Sequence, residues 1–226
     1  MLDKKDLRRV LTILRHHYQD YSTALRYHSP FQLLISTMLS AQSTDRQVNI
    51  VTKNLFRRYS SPKKFLKLDI AQLEQKIKTV GLYKTKARNI LASCKVLVER
   101  YNGQIPGSRE ELMQLPGVGR KTANVVLSIT TDFQAIAVDT HVFRVANRLG
   151  LAEAKNVRQT ENQLMSNIPE KDWSAAHHWL IWHGRKICQA RRPLCTACFL
   201  SNYCRYYQSQ SVMIKNEQTK AKFSAE

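Results

Sequence analysis

The sequence predicts an all-α protein of about ten helices, and three observations support this prediction. Apolar residues recur at three- and four-residue spacing along most of the 226-residue chain, as the buried stripe of an amphipathic helix requires. Helix-start signals such as Ser29-Pro30 and Ser61-Pro62 precede several of these stretches. The only strand-like segment, Ala135 to Val138, is too short to build a sheet.

The predicted helices follow one another with short turns between them. Their stripes and start signals are, in chain order, Leu7, Val10, Leu11 and Leu14; Phe31, Leu34, Ile35 and Met38 after Ser29-Pro30; a start at Ser61-Pro62; Ala87, Ile90, Leu91, Cys94, Leu97 and Val98; a capping box at Ser108 and Glu111; and starts at Asp139 and Asp172. Cys94 lies on one of these apolar stripes, so we interpret it as a core residue. The first helix has a stripe to bury, but the residues alone do not say on which part of the chain.

The charge balance predicts a polyanionic partner, most simply nucleic acid. Lys and Arg number 36 against 17 Asp and Glu, which gives a net charge of +19. The excess lies mainly in two stretches, 46–109 and 173–216, which suggests two surfaces that face one phosphate backbone. A solvated basic surface without a ligand is the alternative.

Composition also excludes several classes of protein. A hydrophobic content of 43% argues against a disordered basic tail. No apolar run approaches the ~20 residues of a membrane span, and the chain start has no signal-peptide core. We therefore expect a soluble protein of the cytoplasm, associated with the nucleoid if the source is bacterial.

A glycine turn at 115–121, with the sequence LPGVGRK, is the first strong motif. Pro116 ends the preceding helix, and Gly117 and Gly119 permit positive φ and a close backbone approach. The next helix, predicted near 119–130, directs its first N–H groups and its positive dipole end into this turn, an arrangement that binds phosphate without reading sequence. The alternative is an ordinary tight turn between two core helices. Residues 81–87 form a similar turn before another helix.

Two polar residues near this turn can carry chemistry. Lys121 lies in a first helical turn beside Arg120, where the helix dipole and the neighbouring cation disfavour its charged form. A neutral amine is a nucleophile, although a phosphate-binding lysine is equally consistent with the position. Asp139 is predicted to cap a helix. Its carboxylate can also move protons or stabilise a cationic sugar-like transition state.

Four of the five cysteines fall close together near the C-terminus and predict a shared metal site. They are Cys188, Cys195, Cys198 and Cys204, with the spacing C-x6-C-x2-C-x5-C. Nothing indicates an oxidising compartment, so a metal is favoured over disulfides. The spacing leaves zinc and an iron–sulfur cluster open, although zinc usually takes two Cys-x2-Cys pairs.

A metal at these cysteines would staple both ends of the 188–195 loop. Arg191 and Arg192 would then be held outward on a rigid phosphate-binding finger. Three histidines near the cysteines in sequence, His177, His178 and His183, are interpreted as core or surface residues. Four cysteines already complete a site, so the metal has a structural role.

Several motifs together resemble the endonuclease III family. They are LPGVGRKTANVV at 115–126, VDTH at 138–141 and the four-cysteine set, in this order, with LSAQSTD at 39–45, GLY at 81–83 and HHWLI at 177–181. The resemblance covers about residues 5–207. The family consists of DNA glycosylases of the helix–hairpin–helix superfamily that carry a [4Fe–4S] cluster.

The resemblance implies two helical domains with a cleft between them that holds the active site. One is 22–133 with the helix–hairpin–helix motif. The other joins 1–21 to 134–211 and carries the cluster loop. Residues 212–226 fall outside the resemblance, and their polar composition predicts a flexible tail. The implied function is a bifunctional DNA glycosylase and apurinic/apyrimidinic lyase of base excision repair that removes oxidised or ring-saturated pyrimidines.

The resemblance also assigns roles to residues. Lys121 would attack the sugar C1′ and form an imine before β-elimination, and Asp139 would assist. The four cysteines would hold the cluster, which is not the chemical catalyst. Gln42 and Leu82 would fill the gap left by a flipped nucleotide. The other expected DNA contacts are Gly117, Val118, Gly119, Arg120, His141, Arg191 and Arg192. The expected partner is double-stranded DNA with a damaged pyrimidine or an abasic site, bound by a monomer.

Two alternatives stay open. One is a thymine-mismatch glycosylase of the same superfamily, and the other is a non-catalytic DNA-binding protein with a redox cluster. The adenine-mismatch enzyme is disfavoured because the resemblance places no lysine at this position of its hairpin. No motif in the sequence ranks damaged bases.

Overall fold

The computed structural model describes residues 1–210, and its regular structure is helical, as predicted. The α-helices of this part are α1 Lys4–Tyr18, α2 Pro30–Ser40, α3 Asp45–Arg58, α4 Pro62–Phe65, α5 Ile70–Ile77, α6 Tyr83–Tyr101, α7 Arg109–Leu112, α8 Arg120–Thr130, α9 Thr140–Leu149, α10 Val157–Asn167 and α11 Trp173–Lys186. Short 3-10 turns occur at Glu170–Asp172, Cys195–Ala197 and Ser201–Tyr203. Ala135 to Val138 are buried but form no strand. The predicted tail, 212–226, lies outside the described residues.

Helix starts follow the predicted local chemistry, with one difference. Ser29 and Ser61 cap α2 and α4, each followed by proline. At α7 the Ser108 hydroxyl accepts a bond from the Glu111 N–H (3.3 Å) and donates to the Glu111 carboxylate (2.6 Å). The predicted capping box is therefore wrong in detail, because the Glu111 carboxylate accepts its hydrogen bond from the Ser108 hydroxyl. A full capping box forms at Asp69 instead, where Gln72 bonds back to the backbone.

The chain divides into two compact units. The middle unit is Thr23–Phe133. The terminal unit joins Met1–Ser22 to the described residues from Gln134 onward. Its two parts are brought together within the unit by the packing of α1 against α11.

The middle unit is built around α2. Eight of the eleven residues of α2 are buried, and it packs against α3, α6 and α8. The surrounding helices each contribute one apolar face, as an amphipathic pattern predicts. This arrangement places the C-terminal end of α2 close to the start of α6.

The terminal unit is built around α11, which packs against both α1 and α9. The buried stripe of α1 is Val10, Leu11, Leu14 and Tyr18. The segment that carries four of the cysteines packs into the core of this unit, where Leu200 is fully buried. Within residues 1–210, no helix is both long and apolar enough to cross a membrane.

Candidate functional site

The glycine turn between α7 and α8 has the sharp geometry that the sequence predicts at its first glycine. Gly117 has φ of +79°, and a Cβ there would lie 2.7 Å from the side-chain amide nitrogen of Asn89. Glycine is therefore required at this position. The turn is closed by the Val118 N–H, which donates to the carbonyl of Leu115 (3.0 Å), and it is tied to α6 by the Ser93 hydroxyl, which donates to the carbonyl of Pro116 (2.8 Å).

The second glycine differs from the first. Gly119 has φ of −92° and ψ of 174°, an extended conformation that any residue adopts, so it does not use the positive φ that glycine permits. No atom lies within 4 Å of a Cβ built at this position. No side chain caps the first turn of α8 either. A phosphate can therefore approach these backbone N–H groups closely.

The other predicted members of the turn have different environments. Val118 is buried, and its N–H is already bonded inside the turn, so it shapes the turn and offers no free contact. Lys121 is exposed in the first turn of α8, and Arg120 beside it is half-buried. The opposite face of α8 packs into the core through Ala123, Val126 and Leu127. This packing fixes the helix while the Lys121 amine stays accessible.

Gln42 and Leu82 occupy two exposed tips in the middle unit. Both have a left-handed backbone, with φ of +53° and +57°, which bulky residues rarely adopt. Leu82 is 56% exposed. The two segments touch at Gly81, where a Cβ would lie 2.7 Å from the carbonyl oxygen of Gln42. The structure therefore brings together the two chain segments that carry Gln42 and Leu82.

Lys86 is a buried lysine that our sequence analysis missed. It is 7% exposed, and its ammonium donates to the carbonyls of Leu39 (2.7 Å) and Ala41 (2.5 Å). Burial lowers the pKa of Lys86. A signal was present in the sequence, because Lys86 falls four residues before Ile90 on the buried stripe of α6.

Asp139 and His141 begin α9 in the terminal unit. Asp139 is the N-cap, as predicted, and its Oδ1 accepts a bond from the N–H of Val142 (2.8 Å). The residue is half-buried. Burial is the main cause that lowers the pKa of His141, with Arg144 adding to the effect. The Nη2 of Arg144 lies 3.2 Å from the Nδ1 of His141.

The four clustered cysteines line one cavity of the terminal unit. Its other lining residues are Leu149, His183, Ile187, Pro193, Leu194, Ser201, Tyr206 and Tyr207. None of the four forms a disulfide. Burial raises the pKa of the thiols of Cys195, Cys198 and Cys204, to about 11 for Cys198. Within residues 1–210, no three His, Cys, Asp or Glu side chains converge tightly enough to hold a single metal ion.

Cys94 lies apart from this group, as predicted. It is fully buried in the core of the middle unit. Burial raises the pKa of its thiol to about 12, so it stays protonated and unreactive.

Two arginines of α9 brace the loop that follows Cys188, and sequence analysis missed both. Arg148 donates to the carbonyls of Gln189 (2.8 Å) and Ala190 (2.9 Å). Arg144 donates to the carbonyl of Cys188 (3.1 Å). Arg191 and Arg192 are exposed on this braced loop.

His183 is a buried residue, as interpreted from sequence, but it also has polar contacts. Its Nε2 lies 3.6 Å from the sulfur of Cys198, and its Nδ1 lies 3.2 Å from the hydroxyl of Tyr18. Burial lowers the pKa of His183 to about 4, so the ring is neutral at pH 7. Burial also lowers the pKa of His178, to about 4.

Comparisons with known proteins match nearly the whole chain. Residues 35–170 match the HhH-GPD superfamily of base excision DNA repair proteins. Endonuclease III of Rickettsia prowazekii (strain Madrid E) is 49% identical over 185 residues, which cover 82% of this chain and 87% of that protein. A solved structure of a trapped endonuclease III–DNA covalent intermediate, an estranged-adenine complex, is 45% identical with a TM-score of 0.89. The match covers 93% of this chain and 100% of the chain in that structure.

A structure of lower sequence identity shares the fold. The structure of a thermostable thymine-DNA glycosylase has a TM-score of 0.82 and covers 91% of this chain and 98% of that one. The two sequences are 23% identical, so this likeness shows a shared fold alone.

Proposed function

This chain belongs to the HhH-GPD superfamily and, within it, to the endonuclease III family, and we propose that Lys121 is its nucleophile and Asp139 its assisting carboxylate. As a member of this family, it is a DNA glycosylase and lyase of base excision repair that acts on double-stranded DNA. The observation that carries this proposal is the position of Lys121. It is an exposed amine in the first turn of an uncapped helix, directly after the glycine turn. The test is borohydride capture on a lesion duplex, compared between the native chain and Lys121→Gln.

The chemistry assigned to Lys121 balances without a further reactant other than water. Its neutral amine attacks C1′, the bond from C1′ to the base breaks, and the base leaves with the bonding electrons and a proton. Opening of the sugar ring then gives an imine between Nζ and C1′. The imine acidifies the C2′ proton, and its removal expels the 3′ phosphate. Water finally hydrolyses the imine and frees the amine.

Asp139 supports these steps as a half-buried carboxylate at the start of α9. Its negative charge stabilises the positive charge that develops on the sugar when the base departs. A carboxylate can also take up a proton during such steps. Its capping bond to the N–H of Val142 fixes one carboxylate oxygen while these steps proceed.

DNA binding in this proposal combines phosphate contacts with gap filling. The first turn of α8, with Gly117, Gly119 and Arg120, binds one phosphate of the backbone. Gln42 and Leu82 enter the duplex when the damaged nucleotide is extruded, an event that is cheaper for a damaged base. The substrates are oxidised or ring-saturated pyrimidines, which a panel of duplexes with one defined lesion each tests directly. Because DNA is the substrate, we place the enzyme in the cytoplasm, at the nucleoid of a bacterial cell.

Arg191→Ala and Arg192→Ala are each expected to weaken binding to all duplexes alike. Each removes one cation from the braced loop, so the slope of log K against log salt should become less steep by about 0.9. Fluorescence anisotropy across a salt series measures this slope. Arg158→Ala, which removes an exposed arginine paired with Glu161 on α10, is the matched control and should leave the slope unchanged. A change in lesion preference at constant slope would contradict the phosphate role.

The endonuclease III family carries a [4Fe–4S] cluster, and we propose that Cys188, Cys195, Cys198 and Cys204 hold it here. Four thiols around one cavity supply the four sulfur ligands such a cluster takes. When bound, the cluster would be held by these four sulfurs and would tie Cys188 to Cys195, the two ends of the 188–195 loop.

Cys198→Ser is expected to lower iron content and thermal stability before it lowers the intrinsic rate of base removal. A serine hydroxyl is a poor ligand for iron, whereas Lys121 and Asp139 are untouched. Iron analysis and the absorbance near ~400 nm of anaerobically purified protein measure the first effect. Cys94→Ala removes a buried thiol outside the cavity and should keep the native iron content. One zinc and no iron in the native protein would contradict the cluster assignment.

A further inference from the structure

We infer that Lys86 is a positioning residue that holds Gln42 and Leu82 at the spacing needed to fill the gap left by an extruded nucleotide. This inference rests on the proposed function, in which both side chains enter the duplex. It is supported by the hydrogen bonds of Lys86. Its side chain bonds to the segment that carries Gln42, and its backbone N–H bonds to Leu82.

The side chain of Lys86 fixes the end of α2. Its ammonium donates to the carbonyls of Leu39 (2.7 Å) and Ala41 (2.5 Å). Carbonyls at a helix C-terminus lack partners in the helix, and a cation there also complements the helix dipole. Because Gln42 follows Ala41 directly, these two bonds set the direction in which the chain leaves α2.

The backbone of Lys86 fixes the position of Leu82. Its N–H donates to the carbonyl of Leu82 (3.0 Å), which is the first bond of α6. Leu82 has no side-chain cap to help it, and its own side chain projects into solvent. The position of Leu82 therefore depends on the first turn of α6, whose buried member is Lys86.

A shared hydroxyl joins the two segments to each other. The oxygen of Ser43 accepts the N–H of Gly81 (2.9 Å) and lies 3.5 Å from the ammonium of Lys86. Gly81 in turn packs against the carbonyl of Gln42 so closely that a Cβ would not fit. Gln42 and Leu82 are thus held by one polar network that has Lys86 at its buried end.

This network explains how two bulky residues keep a left-handed backbone. Such conformations persist only where the surroundings hold them. Without Lys86, the segments of Gln42 and Leu82 would have to become ordered while DNA binds, and this entropic cost would slow extrusion of the nucleotide. It would not slow the sugar chemistry at Lys121.

Lys86→Met tests the inference, because methionine keeps most of the apolar stem and removes the charge and the donors. Two substrates separate the steps. One is a duplex with a ring-saturated pyrimidine beside 2-aminopurine, whose fluorescence reports unstacking. The other is a single-stranded oligonucleotide with an abasic site, which needs no gap filling. We expect unstacking about tenfold or more slower and cleavage of the single strand close to native. Lys95→Met, at an exposed lysine of the same helix, should change neither.

Three outcomes decide the inference. Unstacking at the native rate in Lys86→Met would overturn it. An equal loss on both substrates would also overturn it, because Lys86 would then support the unit as a whole. Adding Gln42→Ala to Lys86→Met should cost less than the sum of the single changes, since both act on one contact.

A second variant keeps the test open if Lys86→Met does not fold. Ser43→Ala leaves both carbonyl bonds of Lys86 intact and removes only the shared hydroxyl. It should slow unstacking by a smaller factor and spare the single strand, and a native rate of unstacking would count against the inference. Failure of the native protein to cleave the single strand or to be captured by borohydride would instead contradict the proposed function.

Discussion

Lys121→Gln is expected to lose both base removal and strand cleavage by at least ~10³-fold. Glutamine keeps most of the length and some hydrogen bonding, but it cannot form an imine. The packed face of α8 does not include this exposed side chain, so the variant should fold, bind lesion DNA and keep its cysteine site. Single-turnover rates at saturating protein, together with borohydride capture, measure the effect.

The control for this prediction separates a lost charge from lost chemistry. Lys95→Gln removes one exposed ammonium from the same unit and should keep the native single-turnover rate. If Lys121 only gripped phosphate, Lys121→Gln would bind DNA more weakly and react at nearly the native rate when saturated. That result would refute the proposed mechanism.

Asp139→Asn is expected to lower the single-turnover rate by about 10²–10⁴-fold while the protein stays folded. Asparagine is as good an N-cap as aspartate, so its side-chain oxygen can still accept the N–H of Val142. What it loses is the negative charge and the ability to take a proton. Thermal unfolding and single-turnover rates, measured on the same preparation, distinguish the two roles.

Asp69→Asn is the matched control for Asp139→Asn, because Asp69 also caps a helix through its carboxylate. It should leave the rate native. Asp139→Ala should instead lose both the charge and the cap, with a cost of about 1 kcal/mol in stability. A near-native rate in Asp139→Asn would show that the residue serves the helix alone.

Local features of the fold could be predicted from sequence because they depend on neighbours in the chain. The serine–proline starts at Ser29 and Ser61 and the cap at Asp139 are of this kind. Gly119 shows the limit of such reasoning. Glycine permits positive φ, but the turn needed it only at Gly117. The docking of α1 also could not be derived from its stripe, which shows that a face is buried and not what covers it.

The same distinction applies to the candidate site. Lys121 and the four cysteines lie in short motifs, so their sequence context predicts them. Lys86 and Arg148 act through carbonyls that lie more than 40 residues away. Such contacts depend on how the helices pack, and a single sequence carries no direct signal of the partner. The position of Lys86 on an apolar stripe predicts burial but not what it bonds.

The pairing of α1 with α11 has a consequence for synthesis of the chain on the ribosome. The middle unit is continuous and can fold as soon as it emerges, whereas α1 is made first and must wait for α11. At ~5–20 residues per second, this wait is on the order of ten seconds or more. Throughout it, the apolar stripe of α1, from Val10 to Tyr18, has no partner to cover it. The stripe of α1 is thus left without its native packing until α11 has been made.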